Sequence, residues 1–397
     1  MTVWQIDQRP DGDLGSVVVE PRETLYEYDE PLIFRSTVGL VDLLLTKVAR
    51  AQDKSIYLAC QTDNRTVEAL RAGRLSVAGA FDRKSYWIVA LDNQSRIAAY
   101  WNRFREEVPK RFFAKPGLGL YHWHGIVPDS LEQSYALLAI KFKGSDLTEA
   151  GIPLGKLKSL VDKSFSTVRK LLTPTQLINT RSSTFDVEVA PPKLASLVIA
   201  VKEPVINMRA VRRIPALNKY SKNDIELAVK ARGEEFAKKL LEIQYLSKHH
   251  AMDDAYAEEN FAYLDILSEI LPDEDGFVSS VEFNTTGSDG LATVVFDRDD
   301  AGSIRDSVKA VEGREITEHG IVNGLITSSR TVRLRSVRGK DVTCVFASEL
   351  YEHLLADPNF RVKGPISLTG RLTRRKKIDL MDVKAFRTVP ADQDLFS

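Results

Sequence analysis

The sequence predicts an α+β, multidomain chain: a small α+β N-terminal domain, a mixed helical and strand middle region, and a C-terminal five-stranded β-barrel. Three observations carry this. At 397 residues the chain exceeds one ordinary hydrophobic core. Segments rich in aromatic and β-branched residues crowd both ends. Between them lie two long stretches with apolar residues at steps of three and four. The expected boundaries are 1–110, 111–318 and 319–390.

Composition narrows the function classes. Hydrophobic content is 43%, ordinary for a globular chain. Lysine plus arginine total 55 and so do aspartate plus glutamate, so overall charge gives no argument for nucleic acid or acidic lipid. Cys60 and Cys344 sit in apolar, strand-like runs, which points to buried thiols rather than a disulfide framework or a thiolate zinc site. The opening MTVWQIDQRPDGD lacks the basic and apolar regions of a signal peptide. No apolar run approaches the roughly 18 residues of a membrane span. The expectation is a cytoplasmic protein with no membrane partner.

In the first unit YEYDEPLIF, SIYLACQ, SYWIVAL and RIAAYW read as strands. NRTVEALRAG reads as a short helix capped by Asn64 or Thr66 and ended by Gly73. The order from YEYDEPLIF through YLACQ to RAGRLSVAGAF resembles the N-terminal domain of an uncharacterised bacterial family, over roughly the first quarter of the chain. That resemblance is hydrophobic and implies no activity and no residue roles. VDLLLTKVARAQDK reads as an insertion-like departure from it.

KPGLGLYHWHG follows as a connecting stretch, then LLAIKFKG as a strand. From Pro153 to Leu172 the residues Leu157, Leu160, Val161, Phe165, Val168 and Leu172 mark an amphipathic helix, with Pro153 in its first turn and Pro174 beyond its end. Its polar residues include Lys156, Lys158, Lys163, Arg169 and Lys170, with Asp162 the one acid. If this helix shares a side with the barrel, the joint surface favours a nucleic-acid path. TFDVEV alternates as a half-buried strand, and SLVIAV, after Pro191 and Pro192, is a candidate central strand. Residues 221–248 form a second long helix opened by a capping box of Ser221 and Asp224. AMDDAYAEENFAYLDILSEIL reads as a separate acidic helix, FVSSVEFNTTGSDGLATVVF as a hairpin, and SIRDSVKAVEG as a helix.

The C-terminal segment reads β-β-β-α-β-β: IVNGLITSS, TVRLRSV, DVTCVFA, the helix ASELYEHLLAD, VKGPISLTGRLTR and IDLMDVKAFRTV, with RGKD as a tight turn. This order resembles the OB-fold (oligonucleotide/oligosaccharide-binding) barrel, which places a helix between strands three and four; ISLTGRLTR is similar to its fourth strand. The resemblance implies contact with single-stranded nucleic acid, a protein partner, or a structural role. Residues 321–390 hold fourteen lysines and arginines against six acids, a net +8 inside a neutral chain. The candidate binding residues are Arg333, Arg335, Arg371, Arg374, Arg375, Lys376 and Lys377. Arg333 and Arg335 alternate and so share a strand face. The segment's aromatics, Phe346, Tyr351, Phe360 and Phe386, form no visible stacking platform.

Catalytic signals are sparse. Read as a strand, YHWHG puts His122 and His124 on one face, where Asp129, Glu132 or the pair His249 and His250 could complete a metal site. The structural alternative buries Trp123 and leaves the histidines to solvent. Asp186 and Glu188 with Lys202 superficially match a magnesium nuclease, and equally match the polar face of a half-covered strand. No H-E-x-x-H, cysteine knuckle, phosphate-binding loop or G-x-S-x-G elbow occurs. The leading expectation is a non-enzymatic binding or adaptor protein. Its basic barrel would contact single-stranded nucleic acid or a protein partner, with no cofactor. The alternatives are a hydrolase or nuclease using a divalent metal and the central acids, and a structural assembly subunit.

Overall fold

A computed structural model describes residues 3–388 apart from 52, 148–150, 175–176, 179–183, 191–196, 215–216, 288–289 and 376–377. The chain divides into two compact units, Met1–Tyr135 and Ala136–Ser397.

The first unit is an antiparallel seven-stranded sheet with short helices. Its strands are β1 (Gly12–Val18), β2 (Glu23–Tyr28), β3 (Glu30–Val38), β4 (Val41–Ala51), β5 (Lys54–Gln61), β6 (Ser85–Leu91) and β7 (Arg96–Phe104), in the order β1-β7-β6-β5-β4-β3-β2. The segment VDLLLTKVARAQDK, expected as an insertion, supplies β4, which pairs along its length with β3 and β5. A register shift between Lys47 and Ala49 breaks its alternation and hides the strand in the sequence. β5 is buried on both faces: Ile56, Leu58 and Cys60 join one apolar cluster, Tyr57 and Ala59 the other. The first cluster takes in Val67, Ala69 and Leu70 of α1 (Asn64–Arg71) and Ala80 of α2 (Val77–Ala80). Asp63, not Asn64 or Thr66, caps α1 by accepting the Thr66 N–H. Gly73 ends it at a positive φ of 65°. α3 (Leu131–Ser134) closes the unit.

The second unit opens with a five-stranded sheet. β8 (Leu138–Gly144), β9 (Phe185–Val189), β10 (Leu197–Ile206), β11 (Val278–Gly287) and β12 (Gly290–Phe296) run in the order β12-β11-β8-β10-β9. The central strand is therefore β8, with β10 beside it. The two long expected helices are present as α4 (Leu154–Leu172) and, after a short α5 (Met208–Val211), α6 (Lys222–Lys248). Ser221 and Asp224 form the capping box on α6. The acidic stretch makes two helices, α7 (Asp254–Glu259) and α8 (Phe261–Ile270), parted at Asn260; α9 (Arg298–Ala310) follows the hairpin.

The C-terminal strands β13 (Glu315–Ile326), β14 (Thr331–Ser336), β15 (Asp341–Phe346), β16 (Pro365–Thr373) and β17 (Ile378–Thr388) close into a barrel in the order β13-β14-β15-β17-β16. β15 and β17 pair in parallel, every other neighbour antiparallel. α10 (Ser348–Ala356) lies between the third and fourth barrel strands. This is an OB-like shape. Barrel interior and helical layer share one apolar cluster, running from Leu171, Phe236 and Leu267 to Val332, Leu368 and Met381. Each such side chain contributes about 1.5–3 kcal/mol when fully buried.

One charged group sits at that junction. The turn between β14 and β15 sends Arg338 inward, where its side chain is 0% exposed. Its Nε donates to Glu318 of β13 at 3.1 and 3.0 Å. Its Nη2 donates to Glu318 at 2.7 Å and to Asp379 of β17 at 3.0 Å. Its Nη1 donates to Asp265 of α8 at 2.7 Å, and the guanidinium lies 4.9 Å from the centre of the Phe261 ring. Ser336 hydrogen-bonds Glu318 as well. Lys340, at 3.7 Å, and Arg374, at 2.8 Å, balance the remaining charge at Asp265. A buried charge persists only when paired and hydrogen-bonded, and here three carboxylates face three cations.

Truncating the cation leaves three buried carboxylates. Arg338→Met is expected to cost about 3–5 kcal/mol of stability, read as a lower midpoint in urea unfolding. An unchanged midpoint contradicts this assignment. Asp265 also sets an acid limit. Burial raises its pKa, but Arg338, Lys340 and Arg374 outweigh that and hold the carboxyl below the usual range. Its stabilisation is complete above the unfolded value of about 3.9 and is lost as pH falls through the lower folded value. Urea midpoints followed below about pH 4 should therefore fall more steeply for the wild type than for Asp265→Asn.

Candidate nucleic-acid interface

Pleating sorts the barrel's basic residues. On β14 the side chains of Val332, Leu334 and Ser336 are buried, while Arg333 is exposed and Arg335 half-buried. Arg333 stands opposite Thr343 of β15, and Arg335 opposite Asp341, to which its Nη1 donates at 2.9 Å. Arg371 is exposed on β16, opposite Glu315 on one side and Asp382 on the other. β16 is not a neighbour of β14 in the barrel, so Arg371 does not join the Arg333–Arg335 face.

The start of the loop from β16 to β17 is anchored at Arg374 and Arg375. Arg374 donates from Nη2 to Asp265 at 2.8 Å, and the Arg375 N–H donates to Asp379 at 2.9 Å, leaving the Arg375 side chain exposed. Lys376 and Lys377 lie outside the described residues. Lys384 also pairs within the barrel, with Glu315 at 2.6 Å. Part of the basic excess read from the sequence is thus paired with acids outside the segment, Arg374 with Asp265 and Lys384 with Glu315.

The basic helix and the barrel meet. A cleft of about 380 Å³ is lined by Phe165, Arg169 and Lys170 of α4 and by Arg335, Val337 and Gly339 of the barrel, among others. Leu177, Ile178 and Val337 give it an apolar part, and Val337 packs with Ile321, Ile178 and Ala262. Three cations line it, and no carboxylate does among its described lining residues. Each cation is oriented. Arg169 donates to the Phe185 carbonyl at 2.8 Å, Lys170 pairs with Glu269 of α8, and Arg335 pairs with Asp341. Gly339, at φ 75°, lets the Lys170 chain cross the turn; a Cβ there would stand 2.9 Å from Lys170 Cε. Phe165, expected in the core from its helical spacing, is 45% exposed, and Val161 one turn earlier is exposed too. The buried stripe is instead Leu160, Val168, Leu171 and Leu172.

The catalytic candidates do not converge. YHWHG forms a 3-10 turn at His122–His124 rather than a strand. Trp123 is 67% exposed, not in the core, and stacks on Tyr121 at 4.5 Å. His124 turns its ring onto Gly73, where an added Cβ would lie 2.7 Å from it, and its own Cβ onto Gly119, where one would lie 2.5 Å away; partial burial lowers its pKa. Asp129 accepts from Ser76 Oγ at 2.6 Å and the Gly117 N–H at 2.7 Å, a loop-fixing role. His249 caps α6 against Tyr245, and His250 follows at a positive φ. Asp186 and Glu188 are exposed on the edge strand β9, where Glu188 pairs with Lys202 at 3.7 Å. Among the described residues no group of three or more His, Cys, Asp or Glu side chains is placed to hold a metal ion.

Comparison with protein-family models, curated protein sequences and solved structures finds no match to this chain. Among the described residues, no helix is long and apolar enough to cross a membrane.

Sequence reasoning missed Phe165, Arg338 and Asp265. A phenylalanine at the border of the basic face of α4 was the available signal for the first. The other two carry no local signal. The two classes of basic residue should separate on substitution. Arg374→Glu sets a carboxylate against buried Asp265 and should cost more than about 1 kcal/mol in thermal unfolding, whereas Arg333→Glu, on an open strand face, should stay within about 0.5 kcal/mol.

Proposed function

We propose that this chain is a non-enzymatic binding protein that holds single-stranded nucleic acid along the outer face of β14 and into the cleft beneath α4. One observation carries the reading: α4 and the barrel place Arg169, Lys170 and Arg335 on one concave surface that also has apolar lining from Leu177, Ile178 and Val337. A grooved cationic track beside an OB-like strand face is the chemistry that follows a phosphate backbone. Arg374 has a different role, fixing the barrel end, and Arg371 lies off the track.

A protein partner is the second reading. It is favoured by the first unit, where Leu118, Trp123 and Ile126 are exposed and a bridge pairs Leu118 with Ile126. The metal-dependent reading has less support, since Asp186, Glu188 and Lys202 form a solvent-facing strand-edge pattern.

Fluorescence anisotropy with labelled single-stranded DNA and RNA at low and moderate salt tests the proposal. Affinity should fall as salt rises. The double variant Arg333→Glu, Arg335→Glu should bind at least about tenfold more weakly, with the salt slope shallower by about 0.7 for each lost phosphate contact. Arg371→Glu should bind as the wild type does. No binding by the folded wild type at low salt refutes the proposal and moves weight to the protein partner.

A further inference from the structure

From the exposed ring of Phe165 at the mouth of the α4–barrel cleft, we infer that this cleft is a base-stacking subsite: one unpaired nucleobase stacks on Phe165 while its phosphate lies between Lys170 and Arg335. The inference rests on the nucleic-acid reading and adds to it the reason for preferring single strands.

The described outward residues of β14 and β15 include no stacking group. The outward residues of β14 and β15 are Arg333, Arg335, Asp341, Thr343 and Val345. Sequence-tolerant binding of single strands normally pairs a cationic groove with aromatic rings. α4 supplies the ring from outside the barrel. Phe165 keeps 45% of its surface exposed although its neighbours Ser164 and Val168 are fully covered. Arg169, one turn on, sits 5.5 Å from the ring centre and 6.0 Å from the Phe185 ring centre, with Nη1 held by the Phe185 carbonyl. The guanidinium therefore lies over one face of the ring and adds positive charge where the sugar-phosphate would pass. Lys170 and Arg335 line the same cleft, held by Glu269 and Asp341. Thr173 lines the same space and can hydrogen-bond a base edge.

Size supports the assignment. About 380 Å³ lies within the range of small-ligand pockets, roughly 300–1,000 Å³. It admits one base with its phosphate. A paired duplex cannot enter, because its bases are already stacked and joined.

Anisotropy titrations should compare a single-stranded thymidine oligomer with an abasic oligomer of the same length, using the full chain. The wild type should prefer the base-bearing strand by about 5- to 150-fold. Phe165→Leu, which keeps an apolar residue in the helix without a ring, should erase that preference. Phe165→Tyr should retain it. If Phe165→Leu still prefers the base-bearing strand, the subsite is refuted while the nucleic-acid reading stands. If the wild type binds both strands equally, the subsite is likewise refuted. If it binds neither, both readings fall together.

Discussion

Arg338 is the constraint around which the second unit is organised. A five-stranded barrel leaves an open end, and here that end is filled by a guanidinium rather than by apolar side chains. Its partners come from three places: β13 and β17 of the barrel, and α8 of the helical layer. A buried cation of this kind is no better than a well-packed apolar plug in net stability. Its value lies in direction. An apolar plug would tolerate small rotations of the barrel against α8, whereas a guanidinium with fixed donors does not.

That fixed relation has a consequence for the surface. The turn that carries Arg338 also carries Val337 and Gly339, which line the cleft under α4. α8 carries both Asp265, which receives Arg338, and Glu269, which holds Lys170. The same two elements thus set the barrel end and the position of a cleft cation. The excess of basic residues in the C-terminal segment is accordingly of two kinds. Arg338, Arg374 and Lys340 serve the junction, and Arg333 and Arg335 face outward. A count of charges along the sequence cannot separate them, because the distinction depends on which end of the barrel meets the helices.

Much of the fold was legible. α6 announced itself through its capping box and spacing, and the barrel through period-two strands with a helix in the right interval. Three features were not legible, for separate physical reasons. β4 hid behind a bulge that broke its alternation. YHWHG mimicked a strand over three residues, too few for periodicity to distinguish strand from turn, and Trp123 proved a surface ring. Arg338 looked like an ordinary turn residue in RGKD, where charge usually meets water. Its partners lie 20, 41 and 73 residues away in the chain, so no local pattern marks it. The candidate site was half visible for the same reason. The basic face of α4 and the alternation of Arg333 with Arg335 could be read, but their meeting across Gly339 is a tertiary fact.

The account stands most directly on whether Asp265 couples α8 to the barrel end. Hydrogen exchange of the wild type and Asp265→Asn at neutral pH measures this coupling segment by segment. The account predicts that α8, the turn at 337–340 and the start of β17 lose protection together, while the first unit is unchanged. Faster exchange confined to α8, with the barrel turn and β17 as protected as in the wild type, would contradict it.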